Sequence, residues 1–144
     1  LGQLTSLARL FLRYNKLTSL PATIGNLRSL ELLSIRNNSF ATLLPQLGNL
    51  TNLRILDVHH NQVQQLPPSL GQLGHLVELD LQYNQLDSVP PQLRGLTSLL
   101  RLHLGYNKLT EFPIAIAQMP LLEELDLEGN RLTSLPSEIG AMTS

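Results

Sequence analysis

The stretch Leu56-Asp57-Val58-His59-His60-Asn61 sets two adjacent imidazoles just beyond a carboxylate. Imidazole and carboxylate together suit zinc or nickel, and an imidazole near a carboxylate is also the heart of a general acid–base pair. Asp80, His103 and Asp126 follow Asp57 at successive intervals of 23 residues. If each lies on a strand and the strands stack, these four form one column with members about 5 Å apart, and His59 lies beside it. Such a column on a flat, open sheet has no second shell to orient its ligands and no closed coordination sphere, so no metal site is expected. Solvated carboxylates in such a column also have nothing to perturb their pKa. No serine, histidine and aspartate arrangement carries a nucleophile elbow, and no glycine run makes a phosphate-binding loop. The expectation is a chain with no catalytic residue and no cofactor.

The composition narrows the classes further. Of 144 residues, 42% are apolar but only 4% aromatic, and leucine dominates the apolar share. Cysteine is absent, which removes disulfides, thiolate metal sites and a cysteine nucleophile. With no signal segment and no long apolar run in view, cytoplasmic use is the expectation, with neither membrane nor nucleic acid as partner. The net charge of −1 hides an asymmetry: residues 1–72 carry six Lys/Arg against two Asp/Glu, and residues 73–144 carry four against nine. One half is basic, the other acidic.

The elements that would position these residues follow from a period. From Leu7 the wording L-x-x-L-x-L-x-x-N-x-L recurs at Leu30, Leu53, Leu76, Leu99 and Leu122, every interval being 23 residues. Asn15, Asn38, Asn61, Asn84, Asn107 and Asn130 keep step, with Ile, Val or Phe replacing some leucines. A second half close to L-P-x-x-I-G-x-L follows in each unit, as in Leu20–Leu27 and Leu135–Met142. Leu44 departs from it with Pro45 one place later, and Arg94 and Ala117 stand where other units have glycine. Full units at 7–29, 30–52, 53–75, 76–98, 99–121 and 122–144, with a partial unit at 1–6 and no recognisable cap, make one domain. Within each unit, leucines alternate with polar residues, the period-two pattern of a short strand with one buried face. No unit can bury its leucines alone, whereas stacked units bury them in one column. An inward asparagine would satisfy backbone groups where the chain turns off the sheet, since an unpaired buried amide costs about 1–3 kcal/mol.

With this wording the chain resembles a leucine-rich repeat protein over its whole length. The L-P-x-x-I-G-x-L half is similar to the intracellular subclass of Ras-pathway scaffolds, plant intracellular Ras-group proteins and bacterial repeat proteins. It differs from the plant receptor-kinase subclass, whose units read L-x-G-x-I-P. The resemblance implies an α/β repeat solenoid: a right-handed coil with a concave parallel β-sheet and a convex side of short turns, 3-10 or helical segments. It also implies a protein-binding arc, whose partner would be a signalling GTPase or a kinase-pathway component.

Five positions per unit are left free of the core on the strand side. All three tyrosines, Tyr14, Tyr83 and Tyr106, occupy the same one, directly before the asparagine. The candidate partner-binding residues are Arg13, Tyr14, Arg36, His59, His60, Asp80, Tyr83, His103, Tyr106 and Asp126. Tyrosine and arginine supply most interface anchors. Replacing Tyr83 and Tyr106 together by alanine is expected to abolish binding and leave thermal stability unchanged. Two further readings stand beside the binding module: an excised or engineered solenoid segment whose apolar ends associate with one another, and the recognition domain of a larger enzyme such as a kinase, GTPase or ubiquitin ligase.

Overall fold

The computed structural model describes residues 1–141. Six strands of three residues each, β1 (Arg9–Phe11), β2 (Leu32–Ser34), β3 (Ile55–Asp57), β4 (Glu78–Asp80), β5 (Arg101–His103) and β6 (Glu124–Asp126), form one parallel sheet in chain order. Leu10, Leu33, Leu56, Leu79, Leu102 and Leu125 stand in one register column. Main-chain bonding runs beyond the strand limits, with Leu12 N–H donating to Ser34 O (2.8 Å) and Tyr14 N–H to Arg36 O (3.1 Å). The same pattern recurs down the stack, so each unit is bonded to the next along about seven residues of backbone.

The return path of each unit is a five-residue 3-10 turn: Ala22–Asn26, Pro45–Asn49, Pro68–Gln72, Pro91–Gly95, Ile114–Gln118 and Ser137–Ala141. The prolines set these starts. Pro21, Pro67 and Pro90 sit at extended dihedrals just before their turns, with φ held near −66° by their rings. Leu44 takes the same place at φ −73° and ψ 139°, and Pro45 opens the turn in its stead. Arg94 is accommodated in a turn ending like its neighbours, with Leu96 at ψ 65°. The fifth turn closes differently, with Met119 at ψ 111° against about 60° in the first four turns, because Pro120 follows it and disfavours the helical region for the residue before a proline.

The turns touch closely enough to explain two glycines. A Cβ on Gly71 would lie 2.1 Å from Gln92 O, and one on Gly95 would lie 2.2 Å from Gly71 O. Between sheet and turns, Leu30, Leu33, Ile35, Leu47, Leu50 and their equivalents in the central units are fully buried. Each such side chain contributes about 1.5–3 kcal/mol on leaving water. Leu7, Leu10, Leu12 and Leu17 of the first unit, and Leu125, Leu127 and Leu132 of the last, are only partly buried against this core. One packed neighbour covers half of what two would. Positions 142–144, including the Met142 of the last second half, lie outside the described residues.

Candidate functional site

The chain leaves the sheet at the residue before each asparagine, and it does so in the left-handed region. Tyr14, Asn37, His60, Tyr83 and Tyr106 have φ between 53° and 57°, and Gly129 has φ 65°. Left-handed backbone costs a residue with a Cβ roughly 1–2 kcal/mol, so something must hold these side chains there. The asparagines that follow are the anchor. Asn38 Nδ2 donates to Leu12 O of the preceding unit (2.9 Å) and to Ile35 O of its own (2.8 Å), while its Oδ1 accepts the Leu17 N–H (3.0 Å). Asn61, Asn84 and Asn107 repeat this network and are buried.

Because strands stack in register, side chains at the left-handed position meet their counterparts one unit away. His60 and Tyr83 stack with ring centroids 4.3 Å apart, and Tyr83 and Tyr106 stack at 4.4 Å with an interplanar angle of 5°. His59 joins from the preceding position, 4.4 Å from His60 and 5.3 Å from Tyr83. The ladder ends at Gly129, where a Cβ would come within 2.7 Å of Tyr106 Cδ1. The Tyr106 hydroxyl donates to Glu128 Oε1 at 2.6 Å. That bond, and then the charge of Glu128, push the Tyr106 phenol up to about 12. Burial lowers the His60 imidazole from its ordinary value, His59 and Arg36 add to this, and Asp80 opposes it.

The candidates therefore fall into groups. His59, His60, Tyr83 and Tyr106 are one stacked body, with Asp80 Oδ2 3.3 Å from His59 Nδ1. Arg13, Tyr14 and Arg36 form a second group: the Arg36 guanidinium lies over Tyr14 and donates to its hydroxyl (3.2 Å), while Arg13 lies over Phe11. His103 Nε2 sits 3.1 Å from Glu124 Oε1. Asp126 accepts a hydrogen bond from the Gln82 amide and another from Glu128 N–H (2.8 Å).

The aspartate column has local work of its own. Asp57 accepts from the hydroxyl of buried Ser34 (2.7 Å), and Asp80 accepts the Gln82 N–H (3.0 Å). These bonds fix the strand ends just before the chain turns. Among the described residues no three histidine, aspartate or glutamate side chains converge in a way that would hold a metal ion. Ser34 and Gly105, two of the five strand-side positions per unit expected to be free of the core, are in fact buried. Large carboxylates on the neighbouring unit cover them, and a Cβ on Gly105 would come within 2.8 Å of Asp126 Oδ2.

A second feature escaped the choice of tyrosines and histidines. Over the N-terminal halves of the strands lies an open hollow of about 350 Å³, floored by Leu32, Ile55 and Val77 and rimmed by Arg9, Arg54 and Arg101, with Glu31 at the edge. Three apolar residues at outward positions of neighbouring strands were the signal for it. Arg101 is already engaged, donating from Nε (3.0 Å) and Nη2 (2.8 Å) to Glu78 Oε2, and this bond holds its pKa above the ordinary value. Among the described residues, Arg9 and Arg54 have no side-chain hydrogen-bond or ion-pair partner, in contrast to Arg101.

A stack of identical strand and 3-10 units, stapled by buried asparagines, defines a parallel repeat solenoid. The chain belongs to the leucine-rich repeat family. A leucine rich repeat model matches residues 75–132, and a second model of that description matches 6–27 and 52–73. A leucine-rich repeat protein of Leptospira interrogans superposes with a TM-score of 0.94 and 39% identity over 96% of this chain. The ectodomain of an Arabidopsis thaliana membrane receptor kinase, solved in complex with Casparian strip integrity factor 2, gives 0.89 and 36% over 99%. An internalin from Listeria monocytogenes gives 0.86 and 26% over 99%. The chain spans 36%, 18% and 41% of those three structures respectively. No curated protein matches the sequence.

Proposed function

We propose that this chain is a non-catalytic protein-interaction module that takes a partner polypeptide along the strand face. The supporting observation is where the aromatic side chains stand. Phe40 and Phe112 are buried, but Phe11 is 51% exposed, Tyr14 70%, Tyr83 40% and Tyr106 39%, all on the strand side or its turning edge. Exposed aromatics on a backbone bonded unit to unit offer contact area at little ordering cost on association. His59 and His103 pair with Asp80 and Glu124, and Asp57, Asp80 and Asp126 accept backbone amides, an arrangement suited to shape and charge recognition rather than to proton transfer. The Arabidopsis receptor kinase in complex with Casparian strip integrity factor 2 supports the same use of the fold. The L-P-x-x-I-G-x-L wording favours a cytoplasmic partner from a GTPase or kinase pathway.

The test is capture from the source organism's lysate by immobilised wild-type chain and by a variant with Phe11, Tyr14, Tyr83 and Tyr106 all replaced by serine. A saturable partner held by the wild type and lost by the variant supports the reading. Identical captured sets overturn it, provided circular dichroism shows the variant folded.

A further inference from the structure

We infer that the hollow over β1 to β5 selects an extended segment bearing two acidic residues four positions apart with an apolar residue midway between them. This rests on the reading of the face as a protein-binding surface and names what that surface prefers.

The spacing follows from the register. Arg9 lies on β1, Arg54 immediately precedes β3, and neighbouring strands are about 4.8 Å apart, so the two guanidinium stems start roughly 10 Å apart along the stack. An extended polypeptide rises about 3.3 Å per residue. Because successive side chains point to opposite faces, the first, third and fifth places face the sheet together; acids at the first and fifth start about 13 Å apart, and each long arginine arm reaches outward to meet one. Leu32 on β2 and Ile55 on β3 are neighbours in register, so the third residue, midway between the acids and on the same face, lies over an apolar floor. A hollow of about 350 Å³ has room for one large aliphatic or aromatic side chain.

Charge fixes the sign of the ligand. Arg9 and Arg54 have no partner among the described residues, whereas Arg101 is neutralised by two hydrogen bonds to Glu78. The hollow therefore reads two acids rather than three. Glu31 stands at the rim beside Arg54 and works against an acidic ligand. A basic ligand would leave both free guanidiniums facing like charge, and an apolar one would leave them unpaired.

The probes are two fluorescein-labelled nine-residue peptides, one with Glu-Ser-Leu-Ser-Glu at its centre and the other with Lys-Ser-Leu-Ser-Lys, titrated with the full chain by fluorescence anisotropy. The acidic peptide is expected to saturate and the basic one not. Arg9→Ala and Arg54→Ala should each weaken the acidic peptide roughly tenfold, Arg101→Ala should change it less than about threefold, and Glu31→Gln should tighten it. Raising the salt from about 50 mM to about 500 mM should weaken binding, because exposed pairs are screened. Equal binding of the two peptides, absence of saturation by the acidic one, or indifference to Arg9→Ala and Arg54→Ala in folded protein overturns the inference. If the acidic peptide fails while lysate capture still depends on the exposed aromatics, the hollow loses its assignment and the broader protein-binding reading stands.

Discussion

Replacing Asn84 by alanine tests what holds one unit to the next. Asn84 Oδ1 accepts the Val63 N–H (2.9 Å), and its Nδ2 donates to Val58 O (3.1 Å), Leu81 O (3.1 Å) and Gln82 O (3.2 Å). Val58 and Val63 belong to the preceding unit, so this one side chain bridges two units. The carbonyls are insured: Val58 O also accepts from Asn61, Leu81 O from Asn107, and Gln82 O from the His60 N–H. The Val63 N–H is not, and in the variant it is left buried and unpaired. An orphaned buried donor costs about 1–3 kcal/mol, and each lost bond to a still-satisfied carbonyl about 0.5–1.5. A loss of roughly 3 kcal/mol follows, which at this chain length lowers Tm by roughly 6–12 °C.

Asn15→Ala is the control. That side chain is exposed and makes only two bonds, to Leu12 O (3.0 Å) and Arg13 O (3.2 Å) of its own unit. Its removal should cost about 1 kcal/mol or less. The assay is urea unfolding followed by far-ultraviolet circular dichroism, with calorimetry for Tm. Since solenoid stability is close to a sum of unit and nearest-neighbour terms, Asn84→Ala should also broaden the transition as the two halves uncouple. Equal losses for the two variants, or a loss below about 1 kcal/mol for Asn84→Ala, would refute the view of the asparagines as staples between units.

Three further outcomes follow from the ladder. The Tyr83→Ala, Tyr106→Ala double variant should lose roughly 2 kcal/mol, because it removes stacked contacts worth about 0.5–1.5 kcal/mol each; a calorimetric Tm equal to wild type would restore the expectation that these rings are free of structural work. The Tyr106 phenol should ionise near pH 12, and Glu128→Gln should bring its titration down, as read by ultraviolet difference absorbance. A raised folded-state pKa favours folding below the ordinary phenol range, about 10, and that contribution disappears as pH rises through about 12. His60 has the opposite sign: its folded-state pKa is lowered, so its contribution is present above about 6.5 and is lost as pH falls below it. His60→Asn, whose side chain tolerates left-handed backbone, should therefore lose less stability between about pH 7.5 and pH 5.5 than the wild type does; an identical pH dependence of Tm for both would refute this.

The fold was legible because repetition multiplies a weak signal. One L-x-x-L-x-L segment is an ambiguous short strand, whereas six at a constant spacing demand that each leucine stack on its counterpart, and a parallel in-register sheet is the arrangement that does so. The asparagine network was legible for the same reason, since a polar residue fixed among core leucines must be satisfied there. The site was read less completely. A period-two pattern treats the residue before each asparagine as one more outward position, so Tyr14, His60, Tyr83 and Tyr106 looked like free surface. That column also holds Asn37 and Gly129, two residue types that favour positive φ, and this was the clue to a turning backbone. The ladder depends on that turn, because rings carried at one left-handed dihedral, one strand apart, are brought face to face.

That geometry divides the strand face into unlike halves. At the turning edge, rings stack on rings and carboxylates accept backbone amides, so these side chains have already given up their freedom and present a fixed profile. Over the N-terminal halves of the strands, Arg9 and Arg54 have no partner among the described residues to hold them and can still adapt to a ligand. A partner that engages both would be positioned by the rigid edge and discriminated by the free guanidiniums. Its direction along the stack follows from the charges: across the first three units the face carries Arg9, Arg13, Arg36 and Arg54 against Glu31 and Asp57, whereas across the last three Glu78, Asp80, Glu123, Glu124, Asp126 and Glu128 oppose Arg101 alone. A segment acidic at one end and basic at the other is drawn in one orientation and repelled in the reverse. Reversing the order of such a peptide at constant composition should therefore lower its association rate more than it raises its dissociation rate, because long-range charge acts mainly on encounter.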